Sequence, residues 1–202
     1  MASSSPNGRE QFLYTGVGSD FKIICRNRVF YAHKVILAPV SEYFRKLFES
    51  DFKEAKNNEI DLSIDDPHVL KTLLETTYNP AVYPWKAGTI GNHVHLYALA
   101  EKYGITDIKA KAVRGFKLKV MDESISGRSL LQLVSDIYAS SASADCPLRE
   151  AILDVFSDFE RESDILNGNE RTFKELAMET PEFVADLALR LHKTLEKIGR
   201  YC

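Results

Sequence analysis

Asp20 and His33 are the residues whose types most invite a chemical role. A carboxylate that orients an imidazole is the base half of a nucleophilic catalyst. The nucleophile half is missing. The chain has no Gly-x-Ser-x-Gly elbow, no Walker loop and no His-Glu-x-x-His. The pair therefore reads as structural, a buried hydrogen bond where a strand pair meets a helix. His93 and His95 are potential metal ligands, but residues two apart on a helix do not share a face, and a two-histidine helical site uses i, i+4 spacing. Cys25, Cys146 and Cys202 are odd in number and widely separated, so they form neither a disulfide framework nor a metal spacing. Gly16-Val17-Gly18 precedes a strand, whereas a dinucleotide fingerprint follows one. No cofactor-binding motif is left, and no catalytic or metal residues are assigned.

Lys109, Lys111, Arg114, Lys117 and Lys119 make one helix basic, and Arg190, Lys193, Lys197 and Arg200 gather at the end of the last. A nucleic-acid or membrane surface is one reading. A solvated face is the stronger one, because the 202-residue chain carries a net charge of −3. Cations at a helix C-terminus also complement its dipole. Neither nucleic acid nor a membrane is therefore expected as a partner. Apolar residues at 45% and charged residues at 27% are those of an ordinary globular protein. A chain of this length buries about 70% of its unfolded surface and folds without a disulfide or metal. With no apolar signal core, no spanning run and no Asn-x-Ser/Thr sequon, the expected setting is intracellular, cytoplasmic or nuclear.

The elements that must position these residues follow from the patterning. Residues 1–8 are small and polar, and Phe12, Leu13 and Tyr14 form a short apolar cluster able to dock as a helical turn or two. Phe21–Cys25 and Val29–Ala32 read as a hairpin, with Asn27 suited to the left-handed conformation of a tight turn. Both strands are apolar on both faces apart from Lys22, so both faces are expected to be covered. A short helix from Lys34 ends at Pro39. Ser41 caps a second helix, with Tyr43, Phe44, Leu47 and Phe48 on one face. Asn57-Asn58 is a turn, and residues 59–64 alternate as a half-buried strand. Asp66-Pro67 starts the next helix. Pro80, Pro84, Trp85 and Gly88 mark a loop over 79–91. Helices follow over 92–103, closed by Gly104, and over 106–122. Beyond that the pattern is helical: 126–139, a helix capped by Asp145, and a last helix from Pro181 with Val184, Leu187, Leu191, Leu195 and Ile198 on one face.

In this order, Ser19-Asp20-Phe21-Lys22-Ile23, Phe30 to Leu37, Ser41-Glu42-Tyr43-Phe44, Phe52-Lys53-Glu54-Ala55, Ile60-Asp61-Leu62, Asp65-Asp66-Pro67 and Tyr97 to Ile105 resemble the BTB (POZ) domain family. The loop at 79–91 resembles the BTB proteins abundant in fungi. The resemblance implies an α+β fold, a small β-sheet capped by α-helices, followed here by an all-α C-terminal region. It divides the chain into a tail over 1–18, the BTB domain over 19–122 and a helical extension over 123–202. It implies a non-catalytic protein–protein interaction module without cofactors. Many members homodimerise through the first helices, which makes Val35, Leu37, Tyr43 and Leu47 interface candidates, with Phe12, Leu13 and Tyr14 docking across the dimer. Some members are substrate adaptors on a cullin-type ubiquitin-ligase scaffold and use an apolar-x-Glu motif. Phe52-Lys53-Glu54 stands at that position, so Phe52 and Glu54, with Tyr43 and Phe48, are the candidate cullin contacts. The alternative is an oligomerising scaffold with no ligase role. A full N-terminal swap between subunits needs a helix of about 11 residues, a strand of about 5 and their turns, for which a tail of 18 residues with its first eight small and polar is too short. No kelch, MATH or zinc-finger segment is read in 123–202.

Overall fold

The computed structural model describes residues 8–82, 89–121, 126–140, 146–158 and 169–199. It separates into two compact units. The first holds residues up to Gly88 together with His95–Ala112, and the second holds Thr89–Val94 and the chain from Val113 onward.

The first unit is built on a three-stranded sheet in the order β2-β1-β3. Strands β1 (Phe21–Cys25) and β2 (Arg28–Ala32) are antiparallel, and β3 (Glu59–Asp61) pairs parallel to β1 through Lys22↔Glu59, Ile23↔Ile60 and Ile24↔Asp61. Phe21, Ile23 and Cys25 of β1 and Phe30 and Ala32 of β2 are buried, with period 2. The other face is only partly closed: Ile24 and Tyr31 are half-buried, Lys22 and Val29 exposed. The expectation of two covered faces is corrected: Val29 on that face is 45% exposed, although α1 (Phe12–Thr15) packs against β2. In the hairpin turn it is Arg26, not Asn27, that adopts the left-handed conformation, at φ 54°. The strain of about 1 kcal/mol expected for a non-glycine there is offset by the Arg26 N–H, which donates to Ser63 Oγ at 2.8 Å, and by Arg26 Nε, which donates to Ser63 O at 3.3 Å.

Helices α2 (Lys34–Leu37), α3 (Glu42–Glu49), α4 (Lys53–Asn57) and α5 (Pro67–Tyr78) follow the hairpin. Ser41 caps α3 by accepting the Phe44 N–H at 3.2 Å, and its hydroxyl donates to Tyr103 O at 2.5 Å. Asp66 caps α5, accepting from His68 N at 2.8 Å and Val69 N at 3.0 Å with Pro67 as the first helical residue. Asn58 ends α4 left-handed, and its backbone carbonyl accepts the Lys22 N–H at 2.9 Å, which joins the α4 terminus to β1. The short helix α4 has too little apolar periodicity to be read from sequence.

The helices α6 (Ile90–Lys102) and α7 (Thr106–Val120) contribute residues to both units. Gly104, at φ 65°, closes α6 while the Ile105 N–H donates to Ala100 O at 2.8 Å. Leu13, Leu37, Phe44, Leu70, Leu73, Leu74, Tyr78 and Tyr103 complete the first core.

The second unit continues with α8 (Gly127–Ser140), α9 (Pro147–Phe156), α10 (Glu170–Glu179) and α11 (Pro181–Gly199). Its core includes Leu130, Val134, Ile137, Leu148, Ile152, Phe156, Phe183 and Leu187. The stripe read on the last helix is corrected in part, with the side chain of Ile198 outside the described residues. Phe183 is fully buried, whereas Leu195 is 57% exposed. The Asp145 cap, the Pro84-Trp85-Gly88 loop, the N-terminal tail over 1–7, and Arg200 lie outside the described residues.

Candidate functional site

Asp20 and His33 do not form the pair their types suggested. Asp20 Oδ1 accepts the Lys34 N–H at 2.8 Å, satisfying an otherwise orphan donor at the start of α2. His33 turns to Tyr78 and Val17 instead. Its backbone N–H donates to the Tyr78 hydroxyl at 2.8 Å, and its Nδ1 and Nε2 lie 2.9 Å from that hydroxyl and from Val17 O. A hydroxyl that accepts from a backbone amide has its own proton to donate, so Nδ1 accepts it and Nε2–H donates to the carbonyl. Both ring nitrogens are engaged, and burial raises the Tyr78 phenol above its ordinary pKa. Each residue hydrogen-bonds within the fold, but with a different partner. His93 is buried and His95 exposed, on different sides of α6. Among the described residues no group of three or more His, Cys, Asp or Glu side chains is placed to hold a metal ion, and no helix is long and apolar enough to cross a membrane. At least two of the five cations on the basic helix hold ion pairs: Lys109 with Glu101, and Lys111 with Asp107 at 3.0 Å.

What remains is a surface on α2, α3 and α4. An aromatic column rises to it from the sheet. Phe21 meets Phe48 edge-on at 4.8 Å between ring centroids, Phe48 stacks on Phe44 at 5.9 Å, Phe44 stacks on Tyr103 at 5.5 Å, and Tyr43 meets Tyr103 edge-on at 5.0 Å. Lys34 lies 5.5 Å from the Phe48 ring centre and hydrogen-bonds Asn58 Oδ1 at 2.5 Å. Phe44 and Leu47 are buried, Phe48 half-buried, and Tyr43 is 36% exposed.

Phe52 behaves differently. Its backbone is pinned at the head of α4: the N–H donates to Ser50 Oγ at 3.3 Å, and the carbonyl accepts from Lys56 N at 3.1 Å. Its ring nevertheless stands 68% exposed. Glu54, half-buried in the first turn of α4, helps to raise the Tyr43 phenol, after burial as the larger cause. Among the described residues no cation lies within ion-pair distance of Glu54, whereas its neighbour Lys56 reaches Asp51 at 3.6 Å. The two halves of the apolar-x-Glu motif are therefore both presented from a fixed backbone.

The dimer candidates divide. Val35 is 78% exposed on α2, Tyr14 is exposed, and Phe12 is half-buried against His33. Leu13, Leu37 and Leu47 are a correction: the chain's own core covers them, and their side chains offer no surface to a partner. Sequence reasoning missed Val40 and Ile64, both exposed apolar side chains. The signal for Ile64 was its place between Ser63 and Asp65, a turn rather than the strand end assumed for it.

The sequence profile of the BTB/POZ domain matches residues 10–118. Human Kelch-like protein 7 is 25% identical over 162 residues, which cover 77% of this chain and 27% of that protein. Human Kelch repeat and BTB domain-containing protein 3 is 27% identical over 165 residues, 81% of this chain and 25% of the relative. Mouse Kelch-like protein 1 is 36% identical over 77 residues, 38% of this chain and 10% of the relative. The chain thus spans about a quarter of the length of the first two curated relatives. With more than half its length matched, a sheet of three strands capped by helices and a helical continuation, the chain belongs to the BTB/POZ domain family.

Proposed function

We propose that this chain is a non-catalytic protein-interaction module whose α3–α4 edge docks a partner protein, and that the partner is a cullin-type ubiquitin-ligase scaffold. The observation that carries the reading is Phe52: a large apolar ring held out in solvent by a backbone hydrogen-bonded on both sides. An anchor of this kind binds with little loss of conformational freedom, because its position is set beforehand. Glu54 supplies a carboxylate two residues along, in the first turn of α4, and Tyr43 widens the apolar surface. Aromatic anchors at the centre of a patch carry most of an interface's free energy, typically 2 kcal/mol or more each.

A pull-down of a cullin N-terminal fragment tests it. Phe52→Ala combined with Glu54→Lys should reduce capture at least tenfold while leaving the circular dichroism unchanged. Capture equal to that of the parent chain would sink the assignment of these residues.

A second reading rests on Val35, 78% exposed at the start of the helical segment. It is an oligomerising scaffold that self-associates through α2 without a ligase role. Light scattering with and without the cullin fragment separates the two: a dimer at micromolar concentration that ignores cullin supports the scaffold, and a heterocomplex supports the adaptor.

A further inference from the structure

A second surface lies at the opposite edge of the sheet. There α1, β2 and α5 enclose a cleft of about 480 Å³ lined by Tyr14, Arg28, Val29, Phe30, His68 and Lys71. Strand β2 is the edge away from β3, whereas α4 packs beside β3, so the cleft is distinct from the docking edge just described.

Of the cleft's two permanent cations, Lys71 is paired and Arg28, among the described residues, is not. Among the described residues the Arg28 guanidinium reaches only Pro67 O and His68 Nε2, each at the 3.5 Å limit of a hydrogen bond. Among the described residues no carboxylate lies within ion-pair distance of it. Two acids, one on α5 and one at its cap, already hold other groups. Glu75 accepts the Tyr14 hydroxyl at 2.5 Å and pairs with Lys71 at 3.4 Å. Asp66 accepts two backbone N–H groups as the cap of α5. His68 and Lys71, three residues apart on α5, line the same cleft. Val29 is an exposed apolar wall beside them. An arginine fork holds a carboxylate through two parallel hydrogen bonds, and a lysine adds a point charge.

We infer that this cleft is a docking site for an acidic peptide segment of a partner protein, with Arg28 gripping a carboxylate side chain, Lys71 supporting the charge and Val29 contacting the aliphatic part of the segment. Clefts of a few hundred Å³ with a few convergent polar groups are of the size that takes side chains rather than lone ions.

The test uses the full chain, labelled with ¹⁵N and titrated with a capped hexaglutamate peptide. Saturable shifts should centre on the amides of Arg28, Val29 and Lys71, and a hexalysine peptide should produce none. Arg28→Glu should weaken the peptide at least tenfold, and Lys71→Gln, at a half-buried position of α5, about threefold. The second variant keeps the test decisive if the first folds poorly. Shifts centred on Thr106–Val120, or unchanged affinity in both variants, would overturn the site. Displacement of the peptide by inorganic phosphate at lower concentration would overturn the carboxylate assignment in favour of a phosphoryl group. Unaltered cullin capture by Arg28→Glu is expected, since the two edges are separate.

Discussion

The sheet-bearing unit and the helical unit each tie their elements together at one polar node, and the nodes use a tyrosine in opposite ways. In the first, Asp65 is the centre. It accepts the Tyr103 hydroxyl on one carboxylate oxygen and Lys102 Nζ at 2.6 Å on the other, and its carbonyl lies 3.5 Å from the Cys25 thiol. The tyrosine is a donor there, and burial, followed by the hydrogen bond to Asp65, raises its phenol strongly. In the second, Arg149 is the centre. Its guanidinium lies 4.2 Å from the centre of the Tyr138 ring, donates to Tyr138 O at 3.2 Å and reaches Glu182 at 3.3 Å. The tyrosine there offers its face, and its hydroxyl goes to Asp186 at 2.9 Å. A carboxylate node can hold donors from several elements without filling space. A guanidinium node is itself a packed plane, so it does the work of a core side chain as well as that of a charge.

That contrast ranks the substitutions. Arg149→Ala should have the largest effect, about 3 kcal/mol lost, because it removes buried packing, a ring contact and the partner of a buried carbonyl together. The Glu182 bond adds little, since that side chain is exposed. The urea midpoint reports it, and a loss below about 1 kcal/mol would mean the helical unit does not depend on this node. Asp65→Ala should cost about 2 kcal/mol by leaving the buried Tyr103 hydroxyl without an acceptor, with Asp65→Asn recovering part of it. If Asp65→Ala proves the more damaging, the ranking of the two nodes is reversed. The smallest expected change has the opposite sign. Thr76 Oγ1 is buried with no hydrogen-bond partner among the described residues. Thr76→Val should therefore raise stability by about 1 kcal/mol, seen as a higher melting temperature.

The sequence made the punctuation of the fold legible. Ser41, Asp66-Pro67 and Gly104 each act through their own backbone neighbours, and all three stand where local chemistry put them. It also made the family legible, because the matching residues recur in order. The partners of long-range groups were not legible. Nothing near His33 announces Tyr78, which comes from another helix 45 residues away. Arg149 reads as a surface charge on an amphipathic helix, yet it is buried because Tyr138 and Glu182 arrive from either side. Leu13, Leu37 and Leu47 looked like spare apolar surface only because the depth of the core cannot be counted from one helix face. Phe52 was legible as a motif position; that its backbone is fixed while its ring is free was not.

The parallel pairing of β1 with β3 has a kinetic consequence. Three residue pairs, beginning with Lys22↔Glu59, close a loop that contains all of α2, α3 and α4. Closing a loop of this length costs about 3 kcal/mol of chain entropy, and that cost comes before its contacts form. The β1–β2 hairpin is local and sets quickly, whereas the parallel ladder waits for the enclosed helices to bring Ile60 back to Ile23. Phe52 and Glu54 ride inside that closure. A nascent chain is therefore expected to form its β2 edge before its α3–α4 edge, and the first unit closes only later, when His95–Ala112 join it.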